Sequence, residues 1–438
     1  MKYLSLPLLL VACADPSPEP LTPLTPFISI EASTARLESE LIALRRDLHQ
    51  NPELSGSEQR TAGVIADALG ALGLEVRTGV GGHGVVGVLQ GALPGPVVAY
   101  RADMDAMPGD EPSGRAYGSR VPGVFHVCGH DVHAAIGVGI ASVLARERER
   151  LPGTVVFLFQ PAEETLEGAA AMLADGVFQE RDPDAIFAVH SFPFPVGTVA
   201  RNVDFGGLDQ FVATLTPASD AGAVDAARVE RTVTRLSALG TAARPGPGDV
   251  DSYLGQLRSD PSPLAGAVYM DVEVSRVEDG GLEGEEVEPS EIQATDGVRI
   301  EGSWRAEDDA MYPVLRAEIE GILNAELGAG SYGLEFREAP FPSMRSDPAE
   351  TERASVGLAE VIGDGQVLAL HAMHLFSGED FALLLQRAPG AMFLVGVANP
   401  ERGITGAPHF PDFDVDEAAI PLATRAMSWV VWRRLSGL

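Results

Sequence analysis

Cysteine, positive charge, aromatic side chains and long apolar runs are all scarce in this chain. Its 438 residues hold two cysteines, Cys13 and Cys128, in such different settings that a disulfide framework is not expected. Stability must then come from burial, and a hydrophobic content of 45% is enough for a full-sized core without cross-links. Aromatics are only 6%, so that core must be mainly aliphatic and alanine-rich. Lys plus Arg number 31 against 63 Asp plus Glu, a net charge of -32. A field of that sign repels nucleic acid and anionic lipid, which excludes both as partners. No run approaches the ~20 apolar residues of a spanning helix.

The N-terminus carries an address. Met1-Lys2 precedes an apolar run, Leu6 to Ala12, which Cys13 closes. This is the layout of a secretory signal. Leu10-Val11-Ala12-Cys13 resembles the bacterial lipoprotein box, in which the cysteine is lipidated and becomes the mature N-terminus. The expectation is a lipoprotein-type signal over 1–13 and export to a cell-envelope membrane, tethered only through lipidated Cys13. An ordinary signal peptide would leave the chain periplasmic or secreted. Residues 14–31 hold Pro16, Pro18, Pro20, Pro23 and Pro26 without a helical period, and read as an extended tether.

From residue 32 the pattern is α/β. Leu37, Leu41, Leu44 and Leu48 have helical spacing, and a second helix starts near Ser57. Short apolar runs at 84–89, 97–100, 154–159 and 185–189 read as buried strands, separated by helical stretches at 134–146 and 167–173. This alternation predicts a mostly parallel sheet flanked by helices. From about 206 to 341 the order becomes strand, helix, strand, strand, helix, strand, a split β-α-β unit inserted into the first domain. Within it, 241–263 is rich in Gly, Pro and Asp and is expected to be loop. The buried pattern returns over 342–438. The catalytic part is thus expected in two pieces, 32–205 and 342–438.

One cluster dominates the chemistry. His126-Val127-Cys128-Gly129-His130-Asp131-Val132-His133 packs three histidines and the only interior cysteine into eight residues. Thiolate and imidazole suit zinc, manganese and their neighbours, and Cys128 and His130, two apart on an extended segment, can face one ion. A structural zinc site would need more cysteines than the chain has. Glu163 and Glu164 follow the strand ending at Phe159, where open α/β sheets bind ligands. Taken alone, this pair reads as an acidic first turn of the next helix. Beside a metal, adjacent carboxylates diverge, so one can ligate while the other moves protons. Asp103, in Arg101-Ala102-Asp103-Met104-Asp105, can hold metal geometry from behind. His190 closes another buried strand, and His409 sits in Pro408-His409-Phe410-Pro411-Asp412. Each of these, alone, is equally a capping or core residue. His126, His133, His371 and His374 can line the pocket or be structural; His49 and His83 read as structural.

These segments, with Arg46 to Glu53 and Ser377-Gly378-Glu379-Asp380-Phe381, run in an order that resembles the hippurate hydrolase and indole-acetyl-amino-acid amidohydrolase group of the aminoacylase-like metallopeptidases. The resemblance covers about 32–205 and 342–438. It implies a zinc-peptidase-like catalytic domain and two divalent metal ions (Mn, Zn, Co or Ni). Cys128, His130, Glu164, His190 and His409 match the ligand positions, Glu163 the general base and Asp103 the second catalytic acidic residue. The implied reaction is hydrolysis of an N-acyl amino acid or related small-molecule amide, and the implied role of the inserted unit is lid and homodimer surface.

The inserted unit departs from the group. Thr216 to Gly222 stands where relatives carry an oxyanion-stabilising His, and Glu286-Val287-Glu288-Pro289 replaces a segment that touches substrate. The acidic residues there point to a cationic group on the substrate. Two other readings stay open: an exopeptidase or dipeptidase of the same family, or a catalytically impaired, lipid-tethered binding protein.

Overall fold

The computed structural model describes residues 25–112, 114–179, 181–215, 225–277, 284–293 and 296–438. Cys13, the expected signal over 1–13 and most of the proline-rich segment lie outside the described residues. The expected tether ends sooner than 31. Helix α1 spans Pro26–Gln50, with Thr25 as N-cap and Pro26 in its first turn. The apolar face of Leu37, Leu41 and Leu48 extends back through Ile30, and Phe27 meets the Trp429 ring edge-on at 5.1 Å. A proline at a helix start costs no hydrogen bond, so the last proline begins a helix.

The remaining elements of the first half are α2 (Gln59–Ala71), β1 (Glu75–Val80), β2 (Gly84–Gln90), β3 (Leu93–Asp103), the short pair β4 (Met107–Pro108) and β5 (Val124–Phe125), and α3 (His130–Arg146). Then come β6 (Pro152–Gln160), α4 (Gly168–Ala174), β7 (Ala185–Pro195), β8 (Val199–Arg201) and β9 (Asp204–Phe205). An inserted block follows: β10 (Asp209–Leu215), α5 (Ala226–Ser237), α6 (Val250–Arg258), β11 (Val268–Val277), β12 (Gly284–Glu286), β13 (Gly297–Ala306), α7 (Met311–Leu327) and β14 (Gly333–Phe336). The chain ends with β15 (Met344–Arg345), α8 (Pro348–Ile362), β16 (Val367–Ala369), α9 (Phe381–Leu385), β17 (Gly390–Ala398) and α10 (Ala419–Ser436).

The larger sheet has eight strands in the order β1-β2-β6-β3-β7-β17-β8-β16. Its centre, β6-β3-β7-β17, is parallel, and the β1-β2-β6 side is antiparallel. The central strands read as continuous apolar runs because helices cover both faces. One face carries α1, α3 and α10, packed through residues such as Leu41, Ile140, Phe187 and Trp432. Against the other lie α4, α6 and α9, through Met172, Leu257 and Phe381. The second sheet, β12-β11-β13-β10-β14, is antiparallel throughout, with its own core of α5 and α7 around the fully buried Trp304. The expected strand-helix order of the insertion is present, with a helix, α6, and a hairpin strand, β12, added.

The stretch 241–263 is not all loop. α6 forms within it and buries Tyr253, Leu254 and Leu257 on one side. Nine residues are too few for a helical period to emerge from a Gly-, Pro- and Asp-rich background, and the apolar face gains stability only by docking on the larger sheet's core.

Candidate metal centre

The chemistry collects beyond the carboxyl ends of the parallel strands, where an open sheet leaves a crevice. β3 delivers Arg101 and Asp103, and Asp105 follows. Cys128 and His130 flank Gly129, which has φ +91° and sits so close to Ser191 that a Cβ would lie 2.9 Å from its Oγ. Only glycine meets both conditions. α3, buried along nearly its whole length, anchors His130 at its first turn. β6 ends at Gln160 and leads through Ala162 to Glu163 and Glu164; His190 projects from β7. Ala162 (φ 50°) and His409 (φ 68°) both adopt the left-handed region, strain that surrounding packing must hold in place.

The five expected donors converge. Cys128 Sγ lies 3.3 Å from His190 Nε2 and 3.2 Å from His409 Nε2. His409 Nε2 is 3.5 Å from Glu164 Oε2, and His130 Nε2 is 3.6 Å from Glu164 Oε1. Glu163 Oε2 stands 3.8 Å from His130 Nε2. Two of the three candidate imidazoles are turned by their other nitrogen. His130 Nδ1–H donates to Asp105 at 3.1 Å, and His190 Nδ1–H to the Ser191 carbonyl at 2.8 Å. Both Nε2 atoms are thereby left as electron-pair donors facing inward.

A second layer supports the first. Asp105 also accepts from Ser55 Oγ at 2.7 Å and from the Glu164 N–H at 3.0 Å. Asp103 is 3.9 Å from His130 Nε2, and its oxygens are bonded to His133 Nδ1 and Arg101, each at 2.6 Å. The buried Arg101 guanidinium continues to Gln160, Glu379 and Asp380. His133 is satisfied on both nitrogens, by Asp103 and Ser191, and is structural. His49 is likewise held between Asp131 and Glu111. His374 lines the cavity, whereas His126 and His371 do not.

The electrostatics call for cations. Burial, then the Glu164, Glu163 and Asp103 carboxylates, push the Cys128 thiol well above the usual thiol range. Burial and the neighbouring Glu379 and Glu164 do the same to Glu163, and burial lifts Glu164 to about 7. Burial opposes a charge on His130, yet Asp103 and Asp105 raise it to about 10. Among the candidate donors, His130 Nε2 and Glu164 Oε1 are sealed from solvent without a hydrogen bond. Buried polar atoms of that kind are costly unless something binds them. One thiol, three imidazoles and a carboxylate, with two orphaned donors facing each other, fit divalent ions of the zinc and manganese type. Three overlapping donor groups, Cys128-His130-His190, Cys128-Glu164-His409 and His130-Glu163-Glu164, give room for two.

Composition hid two features. Asp105, rather than Asp103, orients His130; nothing in the Asp-Met-Asp segment distinguishes the two until β3 ends. The cavity itself, about 440 Å³, is walled by α6 and the insertion as well as by the donors, including Tyr253, Leu254 and Tyr269. Glu286 and Glu288, expected at the substrate, are exposed and do not line it; Thr216 to Gly222 lies outside the described residues. Asp105→Asn is expected to weaken metal affinity about 10- to 100-fold, read by competition with a chromogenic chelator. An unchanged affinity would remove Asp105 from that role.

Comparison with known proteins agrees with this geometry. Residues 99–433 match the model of peptidase family M20/M25/M40. The chain is 34% identical to a probable hydrolase, sll0100, of Synechocystis, over 90% of this chain and 95% of that one. It is 31% identical to the putative amidohydrolase YhaA of Bacillus subtilis, over 89% and 93% of the two chains. Among solved structures it resembles the Bacillus subtilis YXEP protein, a dinuclear metal-binding peptidase of the M20 family. That match has TM-score 0.69 and 26% identity, covering 92% of this chain and 100% of that one.

Proposed function

This chain belongs to peptidase family M20/M25/M40 and is a metal-dependent amide hydrolase, and we propose that its reaction is release of an amino acid from an N-acyl amino acid, as in the hippurate hydrolase group. The observation that carries this reading is the convergence of five donors beside a carboxylate, Glu163, that faces the cavity with no hydrogen-bond partner among the described residues. Cys128, His130, Glu164, His190 and His409 would hold two divalent ions, which when bound acidify a water molecule and offset negative charge on the substrate carbonyl oxygen.

The chain's own groups supply the rest. Glu163 takes a proton from the attacking water as the new C–O bond forms. It returns that proton to the departing nitrogen as the C–N bond breaks. Its buried, carboxylate-rich setting favours holding a proton, which suits the second half of that cycle. Asp103, pinned between Arg101 and His133, faces His130 as the second acidic group. The aromatic walls from Phe192, Phe205 and Phe376 exclude water and suit an apolar acyl group.

Resemblance supports a homodimer through the inserted unit, and the N-terminal sequence supports export with a lipid tether at Cys13. A catalytically impaired binding protein would have no need for a free carboxylate at Glu163. The test of the reaction is a panel of N-acetyl and N-benzoyl amino acids beside dipeptides, with amino-acid release measured on Mn-loaded protein. Release from the acyl conjugates is expected. Cleavage of dipeptides alone would overturn the assignment in favour of a peptidase.

A further inference from the structure

Part of the cavity wall is cationic. Arg244, Arg305 and Arg337 all line it, and among the described residues Asp271 is the one lining carboxylate outside the metal centre. In a chain of net charge -32 this is a local reversal of sign. None of the three has a carboxylate partner among the described residues, whereas Arg316 and Arg345, on neighbouring elements, are paired to Asp209 and Asp204. Arg305 Nε is shut off from solvent and bonded to nothing. Arg244 lies over the Phe410 ring at 5.9 Å, and Arg337 over Phe341 at 5.5 Å. A guanidinium stacked on a ring keeps its in-plane N–H edge available to a carboxylate.

Arg244 and Arg305 face the same space as the reacting centre. Burial first, and then the charge of these two arginines, hold the His374 ring neutral, down to about 3. Arg244 belongs to the stretch that ends in α6, whose Tyr253 is hydrogen-bonded to His374 Nδ1 at 2.5 Å. That helix thus ties the segment carrying Arg244 to the cavity floor.

One carboxylate needs one guanidinium fork. Three unpaired forks around a cavity of about 440 Å³ exceed what the single α-carboxylate of an ordinary N-acyl amino acid requires. We propose that this wall is a subsite for a second anionic group, so that the preferred substrates are N-acyl amino acids with two carboxylates, one beyond the α-carboxylate. The inference rests on the amidohydrolase reading above, and it reverses the cationic preference that the acidic segment at 286–289 suggested, because those residues are not at the cavity.

The test uses the full chain loaded with Mn and two matched substrate pairs: N-acetylglutamate against N-acetylglutamine, and N-succinylalanine against its succinamoyl analogue. Each pair differs by one charge at nearly constant shape. The doubly charged member is expected to have a kcat/KM at least tenfold higher in one pair or both. Arg244→Gln, at an exposed position, should shrink that ratio about tenfold through KM, and Arg305→Lys should shrink it less than Arg305→Gln. Calorimetric titration of the same compounds into the Glu163→Gln protein reads binding without turnover. Tighter binding of the doubly charged member there, with no cleavage by the wild type, would sink the reaction and leave the subsite standing. Equal affinities within both pairs, or a ratio that Arg244→Gln leaves unchanged, would overturn the subsite.

Discussion

Glu163→Gln is expected to lower kcat by about 100- to 10,000-fold while metal content stays at the wild-type level. The amide has the carboxylate's shape and size but cannot take up a proton from water at neutral pH. Because the Glu163 side chain makes no hydrogen bond among the described residues, its replacement breaks no support for the candidate ligands. Glu164, one residue on, sits between His130 and His409, 3.6 Å and 3.5 Å from their Nε2 atoms. The fall should therefore lie in kcat more than in KM, since the lost interaction belongs to the transition state. Steady-state kinetics with metal analysis of the same preparation decide it. Undiminished turnover would assign the base elsewhere, and lost metal would make Glu163 a ligand.

Removal of the ions should have the larger effect. Dialysis against a strong chelator is expected to abolish amide hydrolysis to below detection, and re-addition of Mn, Zn, Co or Ni to restore it. The donor set explains why. Cys128, Glu163, Glu164, Asp103, Glu379 and Asp380 crowd acidic groups into a buried volume where, among the described residues, Arg101 is the one guanidinium in direct contact. Buried charge of one sign is tolerated only when paired. Cys128→Ala should halve or lose metal content and turnover together, because its sulfur is shared by the donor groups that include His190 and His409. Ligands must be deprotonated to bind, so affinity should fall as pH is lowered. Full activity after chelation, or metal-free protein as purified, would defeat the two-metal reading.

Much of the catalytic architecture could be read from residue order. Parallel-sheet strands announce themselves as uninterrupted apolar runs, since both faces are covered; β6, β7 and β17 are such runs. The donors were legible as well, because thiol, imidazole and carboxylate at strand ends have few uses other than ligation when they occur together. What escaped notice was local and short. α1 began six residues before its expected domain, because Pro26 is read as a breaker in sequence but is compatible with a helix start. α6 escaped because nine residues carry too little periodicity against a loop-like composition.

The sequence by itself determined the fold class and the type of reaction, and through resemblance it named a candidate donor set. These depend on residue chemistry and on patterns that repeat along the chain. Only the tertiary structure decided which aspartate turns His130, which histidines are satisfied elsewhere, and what charge the cavity presents. Those depend on side chains meeting across long sequence separations, as Arg101 meets Asp380 and Cys128 meets His409. The acidic chain total pointed one way and the cavity's arginines another, because net charge sums over all residues while a substrate feels only the few that line its site.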